Sequence, residues 1–180
     1  MNAPAYRIDV RDILDQLGGI VLVDEMVPVG DIVLGGEEYQ PSGPAHLVGS
    51  LTNTGSGVVL DGSATIEVIA VCSRCLKTFP LRVSGEVEGF FVHHGHAGDL
   101  PDEQEFAYID DGAVDVLEPL ITALALAMPF APVHAHDCPG ICQSCGADLA
   151  SGPCACQPDP TRSPFAALKD LLPEEPETES

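Results

Sequence analysis

Hydrophobic and polar residues follow different periods in successive segments of this chain, and each period predicts an element. Near the amino end, Asp9 can cap a short helix whose apolar residues recur with helical spacing: Val10, Ile13, Leu14 and Leu17. Gly18 and Gly19 end that helix, and the apolar run at residues 20–29 predicts a buried strand. Two prolines and a glycine make residues 41–44 a loop.

Residues 46–92 have the alternation of an antiparallel β meander. Residues 53–55 (NTG) predict a turn, residues 58–60 a returning strand, and Asp61 with Gly62 a second turn. Residues 65–71 are rich in β-branched side chains and run directly into Cys72. Alternation resumes after Cys75 and continues to residue 91, so the tip of this hairpin carries a cysteine pair.

A second helix is predicted from about Asp115, with Glu118 three residues on as the partner in a capping box. Pro129 ends it. Its apolar stripe, which we expect to pack on the meander, consists of Leu117, Leu120, Ile121, Leu124, Ala125 and Met128.

Polar and acidic residues 93–112 form a predicted loop before this helix, and its histidines are more typical of solvent-exposed side chains than of metal ligands: His93, His94 and His96. Beyond the cysteine-rich segment, Pro164 opens a short helix with three apolar contact positions: Phe165, Leu168 and Leu172. Residues 173–180 are acidic and predicted to be disordered.

These elements predict an α+β fold, an antiparallel β meander or partly open barrel packed by one main helix, with a zinc-ribbon-like appendage at its carboxyl end. We divide the chain into an α+β core domain at residues 1–133, a zinc-ribbon-like segment with a short helix at 134–172, and an acidic tail at 173–180. The length of 180 residues suits one domain with a modest core and a small appendage.

Charge narrows the classes of partner. Seven basic residues against 28 acidic ones give a net charge of −21, which repels phosphate and disfavours autonomous binding to nucleic acid. The same charge suits basic partners such as ribosomal proteins. No export signal is visible, and the longest apolar stretch, residues 120–133, is too short to span a bilayer, so we expect a cytoplasmic protein without a membrane segment.

Cysteine spacing is the strongest chemical signal. Five of the seven cysteines lie between residues 138 and 156, and the other two form a C-x2-C pair at Cys72 and Cys75. Such pairs beside histidines, in a chain with no export signal, indicate zinc ligands. A C-x2-C turn directs both sulfurs to one ion, and Gly146 fits a turn that needs a positive φ after its second cysteine.

The ligands divide into two sets of four. The ribbon set is Cys142, Cys145, Cys154 and Cys156. The second set, which would join the ribbon to the meander, is Cys72, Cys75, His134 and Cys138, with His136 as a weaker substitute for His134. A crossed arrangement, in which Cys72 and Cys75 share an ion with Cys142 and Cys145, is the main rival. We expect one or two structural zinc ions.

The cysteines also have two alternative interpretations, as free thiols and as parts of an enzyme site. Buried free thiols are a serious alternative for an isolated C-x2-C pair, and Arg74 inside the pair makes a redox dithiol conceivable. Redox pairs usually open a helix, whereas this one lies between strands. A catalytic zinc keeps an open position, which so many thiolate ligands disfavour. No catalytic residues and no small-molecule substrate are predicted.

Six stretches carry a combined motif: residues 49–62 (GSLTNTGSGVVLDG), 71–76 (VCSRCL), 115–120 (DVLEPL), 126–129 (LAMP), 138–149 (CPGICQSCGADL) and 154–156 (CAC). In these stretches the sequence resembles the YceD family, the bacterial large ribosomal RNA subunit accumulation proteins. Cysteine-rich members often have a cysteine where His134 stands and an asparagine near Ala150. Some members lack the distal ribbon, so zinc is not essential to the shared role.

The resemblance implies a non-enzymatic factor for synthesis, processing or stability of large-subunit (23S) ribosomal RNA. We expect it to act through ribosomal proteins or pre-large-subunit particles, with indirect contact to RNA and with Arg74 and Lys77 as a small basic patch for partner binding. The rivals are a zinc-dependent or thiol-redox enzyme, a direct RNA reader, and a zinc-ribbon adaptor of transcription.

Overall fold

A computed structural model describes residues 5–95 and 105–156 of the chain. The amino-terminal part contains β1 (Arg7–Asp9), α1 (Arg11–Leu14), β2 (Ile20–Val27), β3 (Ile32–Leu34), β4 (Glu37–Pro41) and β5 (Ala45–Asn53). It is followed by β6 (Val58–Val71), β7 (Thr78–Val92), β8 (Ala107–Tyr108), β9 (Ala113–Asp115), α2 (Leu117–Ala127) and a 3₁₀ turn at Leu149–Ser151. The helix expected at Pro164, the tail and His96 lie outside the described residues.

An antiparallel sheet centred on β6 forms the body of the protein. One edge of β6 pairs with β5 and then β4, and the other edge pairs with β7 along the full length of β6. Strand β2 continues the sheet beyond β5, and the short β8 runs parallel to the end of β7. The strands at residues 5–95 and 105–156 do not close into a barrel. The predicted α+β class, a mainly antiparallel sheet with one main helix, is therefore confirmed.

The turn predicted at Asp61 and Gly62 is wrong, because β6 continues straight through both residues. Gly62 lies opposite Gly49 of β5, and a Cβ placed on Gly49 would lie 2.7 Å from the Cα of Gly62. These glycines let two strand backbones approach closely, which is the other reason for a glycine inside a strand. The turn predicted at residues 53–55 does connect β5 and β6.

The amino-terminal helix is shorter than its apolar spacing predicts. Helix α1 is a single turn with Val10 at its N-cap, and Leu17 lies beyond it with 80% of its surface exposed. The amide of Asn53 donates to the carbonyl oxygens of Ile13 and Leu14, at 2.7 and 2.9 Å. These carbonyls are thereby satisfied without a further helical turn, so the helix ends.

Strand β2 was predicted as buried over residues 20–29, and this is wrong in two respects. It ends at Val27, and one of its faces is open to solvent, with Leu22 84% exposed. It pairs with β5. Its other face contributes Val23 and Val27 to the core.

Helix α2 packs on the sheet as predicted. Leu117, Leu120 and Leu124 are buried in the same cluster as Val83 and Val87 of β7. The predicted capping box is not formed: the helix begins two residues later than expected, with no side-chain bond at its N-cap. Instead, the carboxylate of Asp115 accepts the backbone N–H of Leu117 at 3.1 Å and that of Tyr6 at 2.9 Å.

Candidate metal centre

The turn between β6 and β7 holds Cys72 and Cys75. The backbone N–H of Cys72 donates to the carbonyl of Lys77, and that of Leu76 donates to the carbonyl of Cys72, both at 2.8 Å. Leu76 has a positive φ of 61°, a conformation that costs an L-residue free energy. The turn therefore folds both cysteines toward the same side.

A second turn of the same design holds Cys142 and Cys145. The backbone N–H of Cys142 donates to the carbonyl of Ala147, and that of Gly146 donates to the carbonyl of Cys142, again at 2.8 Å. Gly146 has a φ of 72°, as its position after the second cysteine predicts. Leu76 occupies the equivalent position of the first turn. Leu76 directly follows the second cysteine of its pair, as Gly146 does, and this shared position could have predicted the positive φ of Leu76.

The first cluster brings together Cys72, Cys75, His134 and Cys138, whose candidate ligand atoms all lie within 4.8 Å of one another. The sulfurs of Cys72 and Cys138 are 3.9 Å apart, and the sulfur of Cys75 is 3.4 Å from Nδ1 of His134. Tetrahedral zinc bonds of about 2.3 Å to sulfur and 2.0–2.1 Å to nitrogen require separations of about 3.8 and 3.6 Å. The three cysteines are buried and His134 is exposed, and the spacing of the four donors fits a closed metal site.

Contacts from the first turn hold the segment that carries His134 and Cys138. The guanidinium of Arg74 donates to the carbonyls of His136 and Cys138, at 3.0 and 3.1 Å. The backbone N–H and the hydroxyl of Ser73 both donate to the carbonyl of Pro132. These protein–protein hydrogen bonds hold residues 132–138 against the hairpin tip.

The second cluster brings together Cys142, Cys145, Cys154 and Cys156, again with all four sulfurs within 4.8 Å. It is more open than the first, because Cys145 and Cys156 are exposed and the other two are half-buried. A bridge between Ile141 and Asp148 folds the segment into a small hairpin. Nζ of Lys77 lies 2.5 Å from a carboxylate oxygen of Asp148, which ties this hairpin to the first turn.

Ionisation of the thiols differs sharply within each cluster. Burial of Cys72 opposes its ionisation, but hydrogen bonds from the side chain and backbone of His134 and from the backbone amides of Cys75 and Arg74 outweigh it and lower the pKa to about 5. Burial raises the pKa of Cys138.

In the second cluster, the backbone amides of Cys145 and Ser144 lower the pKa of Cys142 to about 6. The Cys145 side chain raises that of Cys156 to about 12. Negative sulfurs at this spacing repel one another, so a cation among them is needed before all can ionise together.

The structure thus groups the eight candidate ligands in the two sets that their spacing suggested, and not in the crossed arrangement. Either cluster is able to hold a metal ion. Of His136, the structure records a contact through the backbone carbonyl. Arg74 and Lys77 make their described contacts within the chain, and their role in partner binding stays a prediction. His94 hydrogen-bonds Asp110 at 2.7 Å and stacks on Tyr108.

The protein has an antiparallel β body, one cysteine-rich cluster at a hairpin tip and a second cluster in the segment that contacts this tip. These features define a candidate metal-binding protein of the α+β class. The chain belongs to the YceD family: the family described as "Large ribosomal RNA subunit accumulation protein YceD" matches residues 60–172, a range that includes all eight candidate ligands. The resemblance drawn from the motifs is confirmed at the level of the family.

Several mycobacterial proteins are similar to this chain in sequence. Uncharacterized proteins of Mycobacterium tuberculosis and Mycobacterium bovis are each 36% identical over 98 residues, which are 54% of this chain and 47% of the relative. This chain therefore aligns with about half the length of those relatives. An uncharacterized protein of Mycobacterium leprae is 27% identical over 174 residues, covering 94% of this chain and 79% of the relative. No solved structure matches the chain significantly.

Among the residues that the structure describes, no helix has the length and apolar character needed to cross a bilayer.

Proposed function

We propose that this protein is a non-enzymatic ribosome biogenesis factor that supports the synthesis, processing or stability of large-subunit (23S) ribosomal RNA in the cytoplasm. The observation that carries the proposal is the family match over residues 60–172. This range contains most of β6 and all of β7, α2 and both candidate metal clusters, so the likeness extends over the parts from which the site is built.

Two zinc ions complete the proposal, one in each cluster. Seven of the eight donors are cysteine sulfurs, a soft set that suits zinc, and four protein donors for each ion would leave no open position for a water or a substrate in a tetrahedral site. The ion in the first cluster would hold Cys72 and Cys75 of the hairpin to the cysteine-rich segment, and the ion in the second cluster would close the small hairpin within that segment. The role is structural, which favours a binding protein over a zinc-dependent or thiol-redox enzyme.

The partners we propose are basic ribosomal proteins or pre-large-subunit particles. A net charge of −21 attracts basic surfaces and repels the RNA backbone, so contact with ribosomal RNA would be indirect. A direct RNA reader would instead show binding to purified ribosomal RNA that falls steeply as salt rises. The transcription-adaptor alternative has only the ribbon in its favour.

Depletion of the protein followed by sucrose-gradient profiling tests the function. We expect the 23S ribosomal RNA and the mature large subunits to fall relative to small subunits, and an affinity-tagged copy to recover ribosomal proteins or pre-large-subunit particles at physiological salt. Re-expression of the wild-type chain is the positive control. Unchanged levels of 23S RNA together with no ribosomal material on the tagged copy would overturn the proposal.

Zinc content is tested separately by native mass spectrometry of the purified, reduced protein. We expect two zinc ions per chain and slow reaction of the cluster thiols with an alkylating reagent. An unchanged fold with no bound metal would remove zinc from the proposal while leaving the ribosomal part intact.

A further inference from the structure

A groove of about 730 Å³, with no cysteine among its lining residues, lies between helix α2, strand β7 and the start of β8. Its apolar lining includes Phe90, Phe106 and Leu126. Leu126 is 83% exposed although it lies on the helix that packs on the sheet. An exposed leucine beside two phenylalanines forms an apolar surface patch of the kind that marks interaction sites.

The charged residues that line this groove are all glutamates: Glu86 and Glu88 on β7, Glu105 before β8, and Glu118 on α2. No lysine, arginine or histidine is among the described residues that line it. Converging carboxylates of one sign beside an apolar surface attract a cationic ligand and disfavour an anionic one. The groove therefore favours a partner segment that carries positive charge.

Strand β7 adds a third feature. It pairs with β8 only at Phe91 and Val92, so within the described residues the stretch from Ser84 to Phe90 has a strand partner on one edge alone. The groove includes residues from this stretch. An edge with free backbone groups accepts an extended peptide as an added strand, with alternate side chains directed into neighbouring pockets.

We propose that this groove is the docking site for an extended basic segment of a partner protein, with its lysine or arginine side chains facing the glutamates and an apolar side chain against Leu126 and Phe106. The inference rests on the proposed function in that it names the surface through which a basic ribosomal protein would be held. Charge argues against two other occupants. Residues 157–180 contain six acidic and two basic residues, and a second copy of the chain carries −21.

Fluorescence anisotropy of the full-length, zinc-loaded protein tests the inference. The probe is a short fluorescein-labelled peptide that alternates lysine with valine, used at physiological salt. The control peptides replace lysine with glutamate, or valine with serine. We expect binding of the lysine–valine peptide, roughly tenfold weaker binding when valine is replaced, and no binding of the glutamate peptide.

Charge reversal in the groove is the second arm. The double variant Glu86→Lys with Glu88→Lys should lower the affinity for the lysine–valine peptide at least tenfold, because two attractions between opposite charges become repulsions. The control variant Glu37→Lys with Glu38→Lys changes the net charge by the same amount on exposed residues of β4 outside the groove. It should lower the affinity for the peptide less than threefold. Circular dichroism and thermal melting of both variants verify that each remains folded.

The apolar contact is tested by Leu126→Glu, with Leu22→Glu as the control because Leu22 is equally exposed, at 84%. We expect Leu126→Glu to lower the affinity for the peptide about tenfold and Leu22→Glu to leave that affinity unchanged. Equal losses in the paired variants, or unchanged affinity in the groove variants, would overturn the inference, as would a dimer in size-exclusion chromatography that only Leu126→Glu dissociates.

Failure of this inference is distinct from failure of the proposed function. The peptide assay uses purified components and reports on the groove alone. The depletion experiment reports on 23S RNA whichever surface the partner uses.

Discussion

The first cluster is expected to hold the cysteine-rich segment onto the hairpin tip, and Cys138→Ser tests this. The substitution removes one of four donors while keeping the size of the side chain. Cys156→Ser is the matched variant, because it removes one sulfur from the second cluster. With one ion lost in each case, any difference between the variants reports which cluster supports which contacts.

The size of the effect follows from chain geometry. Helix α2 ends near Met128 and is fixed on the sheet, so an ion that holds Cys138 to Cys72 closes a loop of about ten residues from the end of the helix. The loop-closure relation assigns such a restraint about 3 kcal/mol at 25 °C. Each 1.4 kcal/mol is a factor of ten, so release of the restraint raises the open population about a hundredfold.

Hydrogen exchange at particular amides is the assay. The N–H of Ser73 is bonded to the carbonyl of Pro132 at 2.8 Å, and that of Ile141 to the carbonyl of Arg74 at 3.2 Å. Both bonds join the hairpin to the segment. In Cys138→Ser we expect both amides to exchange about a hundredfold faster, with one zinc ion left per chain by native mass spectrometry.

The N–H of Cys142, bonded within the second turn, serves as the internal control. It should keep its protection in Cys138→Ser and lose it in Cys156→Ser, while the amides of Ser73 and Ile141 keep theirs in the latter. Loss of one ion from Cys138→Ser with no change at Ser73 and Ile141 would refute the idea that the first ion supports the docked segment. The amides of β6 should be unaffected in both variants, because the main core cluster is separate from the cysteines.

Three further substitutions test the packing around these sites. Gly85→Ala places a Cβ 2.4 Å from the backbone oxygen of Ala123 and should lower the free energy of unfolding, measured in urea, by about 1–3 kcal/mol. Gly43→Ala is the control because its Cβ enters open space, and equal urea midpoints of the two variants would contradict the prediction. In Gly146→Ala, residue 146 must adopt a φ of 72°, which costs an L-residue free energy. Zinc binding at the second cluster should therefore weaken by about 1 kcal/mol in a competition with a chelator, and an unchanged affinity would contradict this. Asn53→Ala removes two hydrogen bonds at the end of α1 and one to Gly55 in the β5–β6 turn, and should lower the free energy of unfolding by about 2–3 kcal/mol. A loss below about 0.5 kcal/mol would argue against that role.

Local patterns were sufficient for the elements whose burial repeats regularly along the chain. The alternation of apolar residues predicted the β6–β7 hairpin with its cysteine turn, and the helical stripe predicted α2 and its packing on the sheet. Both patterns work because one buried face imposes its period on the residues of a single element. The spacing of cysteines likewise suggested the two groups that the structure brings together, since a C-x2-C turn is itself a local structure. The division of the chain at residue 133 stays a prediction.

Other features depend on residues that are distant along the chain. Asp61 and Gly62 are residues typical of a turn, yet both lie within β6. Gly62 pairs there with Gly49 of the neighbouring strand, where the two backbones approach closely. Asn53 ends α1 from about forty residues away, which no helical spacing could indicate. The groove beside β7 likewise exists because α2 and β8 meet that strand in space. Periodicity along the chain describes which side of an element is buried, whereas its end, its neighbours and the charges that converge on it are set by which segments pack together.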